Sequence, residues 1–152
     1  MRFEGLVTLY IRLALGLSFL SAIGDRFGMW GAPGETNVTW GNTELYMDYV
    51  AVLTPFIPDL LVPIAGWIAT ILEIALGILL IIGFKTRTVA FISGSMLILF
   101  ALGMILGVGF KAPFDYSVFS ASAGAFLLVF FKNIPFSLDS LLNKKSGQAF
   151  PA

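Results

Sequence analysis

Two ionisable residues, Arg12 and Glu73, each lie in the middle of a long apolar stretch of this sequence. A charge at the centre of a hydrocarbon layer costs ~2.5–3.5 kcal/mol on insertion scales, so such residues are expected to pair or to serve a function. Arg12 follows Phe3 by about 9 residues and Glu73 precedes Gly83 by about 10, which predicts similar depths of roughly 13–15 Å in two antiparallel helices. A guanidinium and a carboxylate at one depth would form a bidentate hydrogen-bonded contact inside the bundle.

Two roles stay open for this predicted Arg12–Glu73 pair. As a structural latch, it would fix the rotation of the two helices about their axes. As a site, it would bind a polar group, such as the carbonyl of a quinone head group or a small anion, or relay a proton. Thr8 and Thr70 belong to the same two helix faces and complete the set of ligand-binding candidates. No catalytic residue is identified.

The residue types that are missing exclude several chemistries. The sequence contains no Cys and no His, which excludes disulfides, thiolate and histidine metal sites, and histidine-ligated haem. We therefore expect no bound metal. Nine Lys and Arg residues balance nine Asp and Glu residues, so the chain has no basic field to attract nucleic acid. Any redox cofactor would have to be organic and non-covalent, and a quinone is the one we expect.

The elements that carry these residues are predicted to be transmembrane helices. Charged residues make up 12% of the chain and hydrophobic residues 58%, whereas globular proteins contain about 25% charged residues. A helix of about 20 apolar residues spans a hydrocarbon core, and the apolar stretches predict spans at about 6–23, 60–83, 88–108 and 115–132. The predicted fold is an all-α polytopic membrane four-helix bundle, with residues 1–152 in a single domain.

Positively charged residues flank the predicted bundle mainly on one side. The side of the termini holds Arg2, Lys85, Arg87, Lys132, Lys144 and Lys145, and the other side holds Arg26 and Lys111. Because positive residues stay on the cytoplasmic side, we expect cytoplasmic N- and C-termini, an extracytoplasmic loop at 25–59 and a cytoplasmic tail at 135–152. The chain is predicted to be a multi-pass protein of the cell (inner or plasma) membrane, in contact with the lipid bilayer.

The 25–59 loop is predicted to contain a short amphipathic helix. It would begin after a capping Asn42 or Thr43 and end at Pro55. The predicted apolar face consists of Leu45, Tyr49, Val52, Leu53 and Phe56. Such a helix would lie on the membrane surface or over the mouth of the bundle, either as a lid over a cavity or as a loop that simply packs onto the bundle. The polar residues expected at this outer mouth are Asp25, Arg26, Asp115 and Tyr116.

Small residues are expected to set the packing of the spans. Gly16 and Gly77 lie on the faces of the two charges, where they would let the first two helices approach closely. In the third and fourth spans, small residues predict a second close pair, at Gly94, Gly103, Gly107 and 120–125. Small-residue faces could also hold a second copy of the chain in a homo-oligomer.

Three segments resemble the DoxX family of membrane proteins. They are Arg-Leu-Ala-Leu-Gly-Leu-Ser-Phe-Leu at 12–20, Glu-Ile-Ala-Leu-Gly-Ile-Leu-Leu-Ile-Ile-Gly-Phe-Lys-Thr-Arg at 73–87, and Ser-Leu-Asp at 137–139. The resemblance covers about residues 6–140, and the positions that match are Arg12, Glu73 and Asp139. It implies a four-helix integral membrane protein. Some members of the family are subunits of thiosulfate:quinone oxidoreductase, and others accompany redox or thiol-stress systems.

Together these features predict a DoxX-like integral membrane component of a redox or quinone-linked system. It would bind a quinone head group or a small ligand near the Arg12–Glu73 pair. Because the chain has no metal or thiol of its own, it would need a redox protein partner or a bound organic cofactor to move electrons. The alternative is a non-enzymatic membrane scaffold, assembly factor or small-solute carrier, in which the Arg–Glu pair is a structural latch.

Overall fold

A computed structural model describes the backbone of residues 2–145 and the side chains of residues 3–143, so the last part of the predicted 135–152 tail lies outside the described residues. The described chain is helical throughout, with no strand, which confirms the predicted all-α class. Its helices are α1 (Arg2–Arg26), α2 (Thr43–Leu53), α3 (Val62–Ile82), α4 (Thr86–Gly107), α5 (Ala112–Asp115), α6 (Val118–Phe130) and α7 (Leu138–Lys145). A 3-10 turn at Asp59–Leu61 leads into α3.

Three of these helices are long and apolar enough to cross a membrane. The candidate spans are Phe3–Arg26, Asp59–Ile82 and Thr86–Gly107, and they coincide with the first three predicted spans. Large apolar side chains on all three point out of the bundle, as expected for contact with lipid. The fourth span is represented by α6, which has 13 residues and rises about 20 Å. It is therefore shorter than a hydrocarbon core of ~30 Å.

Helices α1 and α3 pack against each other at two glycines, as predicted. A methyl group on Gly16 would lie 2.8 Å from the carbonyl oxygen of Gly77, and a methyl group on Gly77 would lie 3.1 Å from the carbonyl oxygen of Gly16. The two backbones therefore come as close as they do because neither residue has a side chain. This crossing sets the register of the antiparallel pair.

The first turns of α1 extend beyond the end of α3. A methyl group on Gly5 would lie 2.5 Å from the ring of Pro135, in the segment that follows α6. That segment also reaches the α3–α4 turn, where the backbone N–H of Asp139 donates to the carbonyl of Gly83 at 3.0 Å. The start of α1, the α3–α4 turn and residues 131–139 therefore share one end of the bundle, which we call the terminal end. The side of the membrane that this end faces stays a prediction.

The opposite end of the bundle, which we call the loop end, carries α2. The side chain of Asn42 caps this helix by accepting a hydrogen bond from the backbone N–H of Leu45 at 2.8 Å, as predicted. Helix α2 lies over the bundle mouth, because Tyr46 and Val50 form a buried cluster with Val62 of α3.

The predicted apolar face of α2 is wrong. Leu45 and Val52, which were assigned to that face, are 41% and 47% exposed, whereas Tyr46 and Val50 are buried. Spacing alone does not separate these two faces, because apolar residues surround most of the helix. The hydrogen bond from the Tyr46 hydroxyl to the carbonyl of Gly66, at 3.4 Å, helps to set the rotation that occurs.

The small residues of α4 divide between two neighbours. Gly94 faces α6, where a methyl group would lie 2.8 Å from the ring of Phe126, as predicted. Gly103 and Gly107 instead face α2, and a methyl group on Gly103 would lie 3.2 Å from the carbonyl oxygen of Leu53. Their assignment to the α4–α6 contact is therefore wrong, because α2 crosses the bundle mouth and covers this end of α4.

Candidate functional site

A buried ion pair joins the last residue of α1 to the middle of α3. Nη1 of Arg26 contacts Oε2 of Glu73, and the two side chains are only 4% and 3% exposed. The same nitrogen donates to the hydroxyl of Thr70 at 3.0 Å. That hydroxyl in turn donates to the carbonyl of Gly66 at 2.8 Å.

The directions of the two side chains explain this pairing. A side chain on an α-helix leans toward the N-terminus of its own helix. Since α1 and α3 are antiparallel, Arg26 and Glu73 lean toward each other. When Gly16 and Gly77 are level, the backbones of Arg26 and Glu73 are about six residue rises, or roughly 9 Å, apart along the bundle axis. The long arginine side chain spans this distance.

The predicted contact between Arg12 and Glu73 is wrong. Each residue lies one turn from the Gly16–Gly77 crossing, but on opposite sides of it, so about eight residue rises, or roughly 12 Å, separate them. Their side chains also lean in opposite directions. The sequence estimate failed because it took Phe3 and Gly83 as equal depths, whereas α1 extends well past the end of α3.

Arg12 is instead bound at the terminal end by three backbone carbonyls. Nε donates to Leu80 at 2.9 Å, Nη2 to Ile81 at 2.8 Å and Nη1 to Phe136 at 3.0 Å. Arg12 is fully buried, and each of its guanidinium nitrogens has an acceptor. The carbonyls of Leu80 and Ile81 belong to the last turn of α3, where a helix has no internal donors for them.

The Ser-Leu-Asp segment completes this terminal cluster. The carboxylate of Asp139 accepts hydrogen bonds from the backbone N–H groups of Lys85 at 2.7 Å and Thr86 at 2.8 Å. The hydroxyl of Ser137 accepts from the backbone N–H of Ser140 at 3.1 Å, and so caps α7. Two of the three positions that match the DoxX pattern, Arg12 and Asp139, therefore hold α1, α3, α4 and α7 together.

Thr8 belongs to the terminal end as well. Its hydroxyl donates to the carbonyl of Gly5 at 3.0 Å, and the residue is fully buried. Of the four ligand-binding candidates, Glu73 and Thr70 are therefore brought together, while Arg12 and Thr8 lie apart from them. Arg26, which was assigned to the outer mouth, takes the place expected for Arg12.

Two aromatic residues of the first loop enclose the Arg26–Glu73 pair. The guanidinium carbon of Arg26 lies 3.8 Å from the ring centroid of Tyr46 and 5.4 Å from that of Trp40. These two rings meet edge to face with centroids 5.2 Å apart. Asp25 holds the loop in place, because its carboxylate accepts from the backbone N–H of Trp40 at 2.9 Å. We call this set the loop-end site: Asp25, Arg26, Trp40, Tyr46, Thr70 and Glu73.

Tyr46 is the member of this site with the weakest signal in the amino-acid sequence. Trp and Tyr are residue types that often anchor a protein at the membrane interface, and neither Trp40 nor Tyr46 belongs to a sequence motif. The four-residue spacing of Tyr46 and Val50 was the available signal. Burial raises the pKa of Tyr46, more than the nearby charge of Arg26 lowers it, so at neutral pH the phenol is a hydrogen-bond donor.

The other two residues predicted at the outer mouth lie outside this cluster. Asp115 forms an exposed ion pair with Lys111, with side chains 52% and 84% exposed. Tyr116 is 67% exposed. Exposed pairs of this kind contribute little to stability.

The two buried arginines differ in whether all of their guanidinium nitrogens are hydrogen-bonded. Nε of Arg26 is buried and has no hydrogen-bond partner among the described residues, whereas every guanidinium nitrogen of Arg12 has one. The loop-end site therefore has a buried donor available for an oxygen acceptor. Within residues 3–143, no group of His, Cys, Asp and Glu is arranged to hold a metal ion.

The sequence profile of a protein family described as "TQO small subunit DoxD" matches residues 46–150. This match contains Tyr46, Thr70, Glu73 and Asp139, and it begins after α1. No curated protein and no solved structure matches the chain. Since the profile covers more than half of the sequence and the described helices include three of membrane-spanning length, the chain belongs to the DoxD family, a DoxX-like family of multi-pass membrane proteins.

Proposed function

We propose that this chain is the membrane subunit of a quinone-linked redox complex, and that its loop-end site binds a carbonyl oxygen of the quinone head group. The family description supports the first part, because it names a small subunit of TQO. The second part rests on the unpartnered Nε of Arg26. An unpaired buried donor costs about 1–3 kcal/mol, and a ligand oxygen would restore the missing hydrogen bond.

The charge of the loop-end site favours a neutral ligand over an anion. Arg26 contacts the carboxylate of Glu73, which is 3% exposed, and a second buried carboxylate, that of Asp25 at 6% exposure, belongs to the preceding residue of α1. Its positive charge is therefore already compensated, and an added anion would meet net negative charge in a medium of low dielectric constant. A quinone carbonyl accepts a hydrogen bond without adding charge. The rings of Trp40 and Tyr46 offer flat apolar surface for the head group.

Entry to the site requires the first loop to move. Arg26 is only 4% exposed, so the loop covers it. Trp40, which lies next to Arg26 in this loop, is partly exposed. Three hydrogen bonds keep this segment closed: two from the backbone of Thr39 and Trp40 to Asp25, at 3.1 and 2.9 Å, and one from the Thr43 hydroxyl to the carbonyl of Arg26 at 3.2 Å. In this proposal the part of the 25–59 loop that would open as a lid is the segment from Thr39 through α2.

The chain's own residues bind and orient the head group in this proposal. A bound quinone would supply two-electron chemistry, which the side chains here do not offer, since the sequence contains no Cys and so no thiol–disulfide couple. Electrons would come from a partner subunit with its own cofactor. Glu73 and Tyr46 are the buried oxygen groups next to Arg26 that can hold a proton near the bound ring.

Fluorescence of Trp40 tests this proposal directly. In a Trp30→Phe/Trp67→Phe background, Trp40 is the remaining tryptophan, and a short-chain benzoquinone analogue should quench it saturably. Arg26→Lys keeps the charge that pairs with Glu73 but lacks Nε, so it should weaken binding about tenfold, which is ~1.4 kcal/mol.

Lys111→Gln is the matched control for this experiment. It removes a cation at the same end of the bundle, from an exposed pair, and should leave quinone affinity unchanged. Non-saturable quenching of the parent protein, or equal affinities for the parent and Arg26→Lys, would contradict the proposal.

A scaffold or assembly factor is the alternative supported by a specific observation. In the terminal cluster, every guanidinium nitrogen of Arg12 and both carboxylate oxygens of Asp139 have hydrogen-bond partners, which supports a structural role. A solute carrier is less consistent with the structure. Buried apolar side chains separate the two polar clusters, and they include Leu15, Phe19, Leu76 and Leu80. A scaffold would bind no quinone while still requiring Arg12 for folding.

A further inference from the structure

We infer that the α4–α6 seam at the terminal end binds the head group of an anionic phospholipid through Arg87 and Lys132. Nε of Arg87, in the first turn of α4, donates to the carbonyl of Val129 in the last turn of α6 at 2.8 Å. This carbonyl is one of the four that a helix end leaves without an internal donor. The bond holds the Arg87 guanidinium across the seam between the two helices.

The rest of the Arg87 guanidinium is free for a ligand. Nη1 and Nη2 of Arg87 make no hydrogen bond within the described residues, and the side chain is exposed. A guanidinium presents paired N–H groups that match two oxygens of a phosphate. Lys132, which follows Val129 by three residues, is also exposed and adds a second positive charge beside the end of α6.

No carboxylate of the described chain neutralises these cations. The ion pairs among residues 3–143 are Arg26–Glu73 and Lys111–Asp115, both away from this corner. The carboxylate of Asp139 is engaged by the backbone N–H groups of Lys85 and Thr86. Basic residues at the membrane end of transmembrane helices attract anionic lipid head groups, by about 1 kcal/mol per cation.

The surface next to Arg87 is suited to an acyl chain. Phe91 lies one turn further along α4, toward the middle of the bundle, and is 56% exposed. Its ring lies 5.9 Å from that of Phe126 on α6, so apolar aromatic surface continues along the same seam. A phosphate bound at Arg87 would place its lipid chains beside these rings, which favours a phospholipid over free phosphate.

Native mass spectrometry of the purified full chain tests this inference. Phosphatidylglycerol should bind more tightly than phosphatidylcholine, and Arg87→Gln should weaken phosphatidylglycerol binding about fivefold. Lys111→Gln, which removes an exposed cation at the loop end, should leave it unchanged. Circular dichroism checks that each variant is folded. If Arg87→Gln does not fold, Lys132→Gln provides the same comparison, because the Lys132 side chain makes no hydrogen bond or ion pair with a described residue.

Two results would overturn the inference. One is equal affinity of the parent and Arg87→Gln, or of the parent and a folded Lys132→Gln, for phosphatidylglycerol. The other is inorganic phosphate binding that depends on Arg87 while the two lipids bind equally, since this would indicate a phosphate site with no role for the apolar seam.

Discussion

Removing the charge of Glu73 should destabilise the protein far more than removing an exposed charge. In Glu73→Gln, Arg26 would remain 4% exposed and would be left with neutral acceptors, the Thr70 hydroxyl and the amide oxygen of the new glutamine. Breaking a buried ion pair by removing one partner costs about 3–5 kcal/mol, because the remaining charge is buried without compensation. Replacing both partners by apolar residues of similar size is often neutral, so Arg26→Met/Glu73→Met should recover most of the lost stability.

These stabilities can be measured by reversible unfolding in mixed micelles, followed by far-UV circular dichroism. The matched control is Asp115→Asn, which breaks an ion pair with side chains 52% and 84% exposed and should cost less than about 1 kcal/mol. The expected difference of at least ~2 kcal/mol exceeds the uncertainty of such titrations. Glu73→Gln would then be the severe variant and Asp115→Asn the mild one.

The apolar double variant also separates the two roles of the pair. A structural latch predicts that Arg26→Met/Glu73→Met is stable and retains every function of the chain. A binding site predicts that the same protein is stable but that quinone no longer quenches the fluorescence of its Trp40. Equal costs for Glu73→Gln and Asp115→Asn would refute the buried contact itself, whereas quinone binding by the double variant would refute the site alone.

Three further predictions concern the terminal cluster, the helix crossing and the loop helix. Arg12→Lys loses at least two hydrogen bonds to carbonyls, each worth ~1.5 kcal/mol, so unfolding should become easier by about 3 kcal/mol while the folded protein keeps its quinone affinity. Gly16→Ala places a methyl group 2.6 Å from a carbon of Ile81, so the same titration should show a cost of about 1–3 kcal/mol, whereas Gly124→Ala, with 3.8 Å of space, should be nearly neutral. Burial raises the pKa of Tyr46 in the folded state, so the unfolded chain releases that proton first as the pH rises. The free energy of unfolding should therefore be constant below about pH 10 and fall above it. Unfolding free energies measured from pH 7 to 11 check this, and Tyr46→Phe should make their dependence on pH less steep.

The sequence was sufficient to predict the long helices and the crossing of α1 and α3. Apolar stretches of about 20 residues locate α1, α3 and α4, and the glycines at 16 and 77 predict the crossing that occurs. The cap at Asn42 predicts the start of α2. Each of these features depends on a few neighbouring residues, so the pattern alone determines it.

The partners of the charged side chains could not be found in the same way. Pairing depends on where one helix lies along another, and a shift of two turns changes the partner of Glu73 from Arg26 to Arg12. The sequence does not state how far α1 extends beyond α3, because that length is set by Gly5 packing on Pro135. Side-chain direction along antiparallel helices, applied to the predicted glycine crossing, would have favoured Arg26 over Arg12.

The energetics of the two arginines explain why they should differ in function. Both are buried, and each would be unfavourable without hydrogen-bond acceptors. Arg12 has an acceptor on every guanidinium nitrogen, so a ligand could bind there only by breaking bonds that stabilise the fold. Arg26 leaves Nε unpaired, and a ligand oxygen that accepts from it would gain about 1–3 kcal/mol without such a loss. The gain corresponds to roughly 5- to 150-fold in affinity, which is the range within which Arg26→Lys should weaken quinone binding.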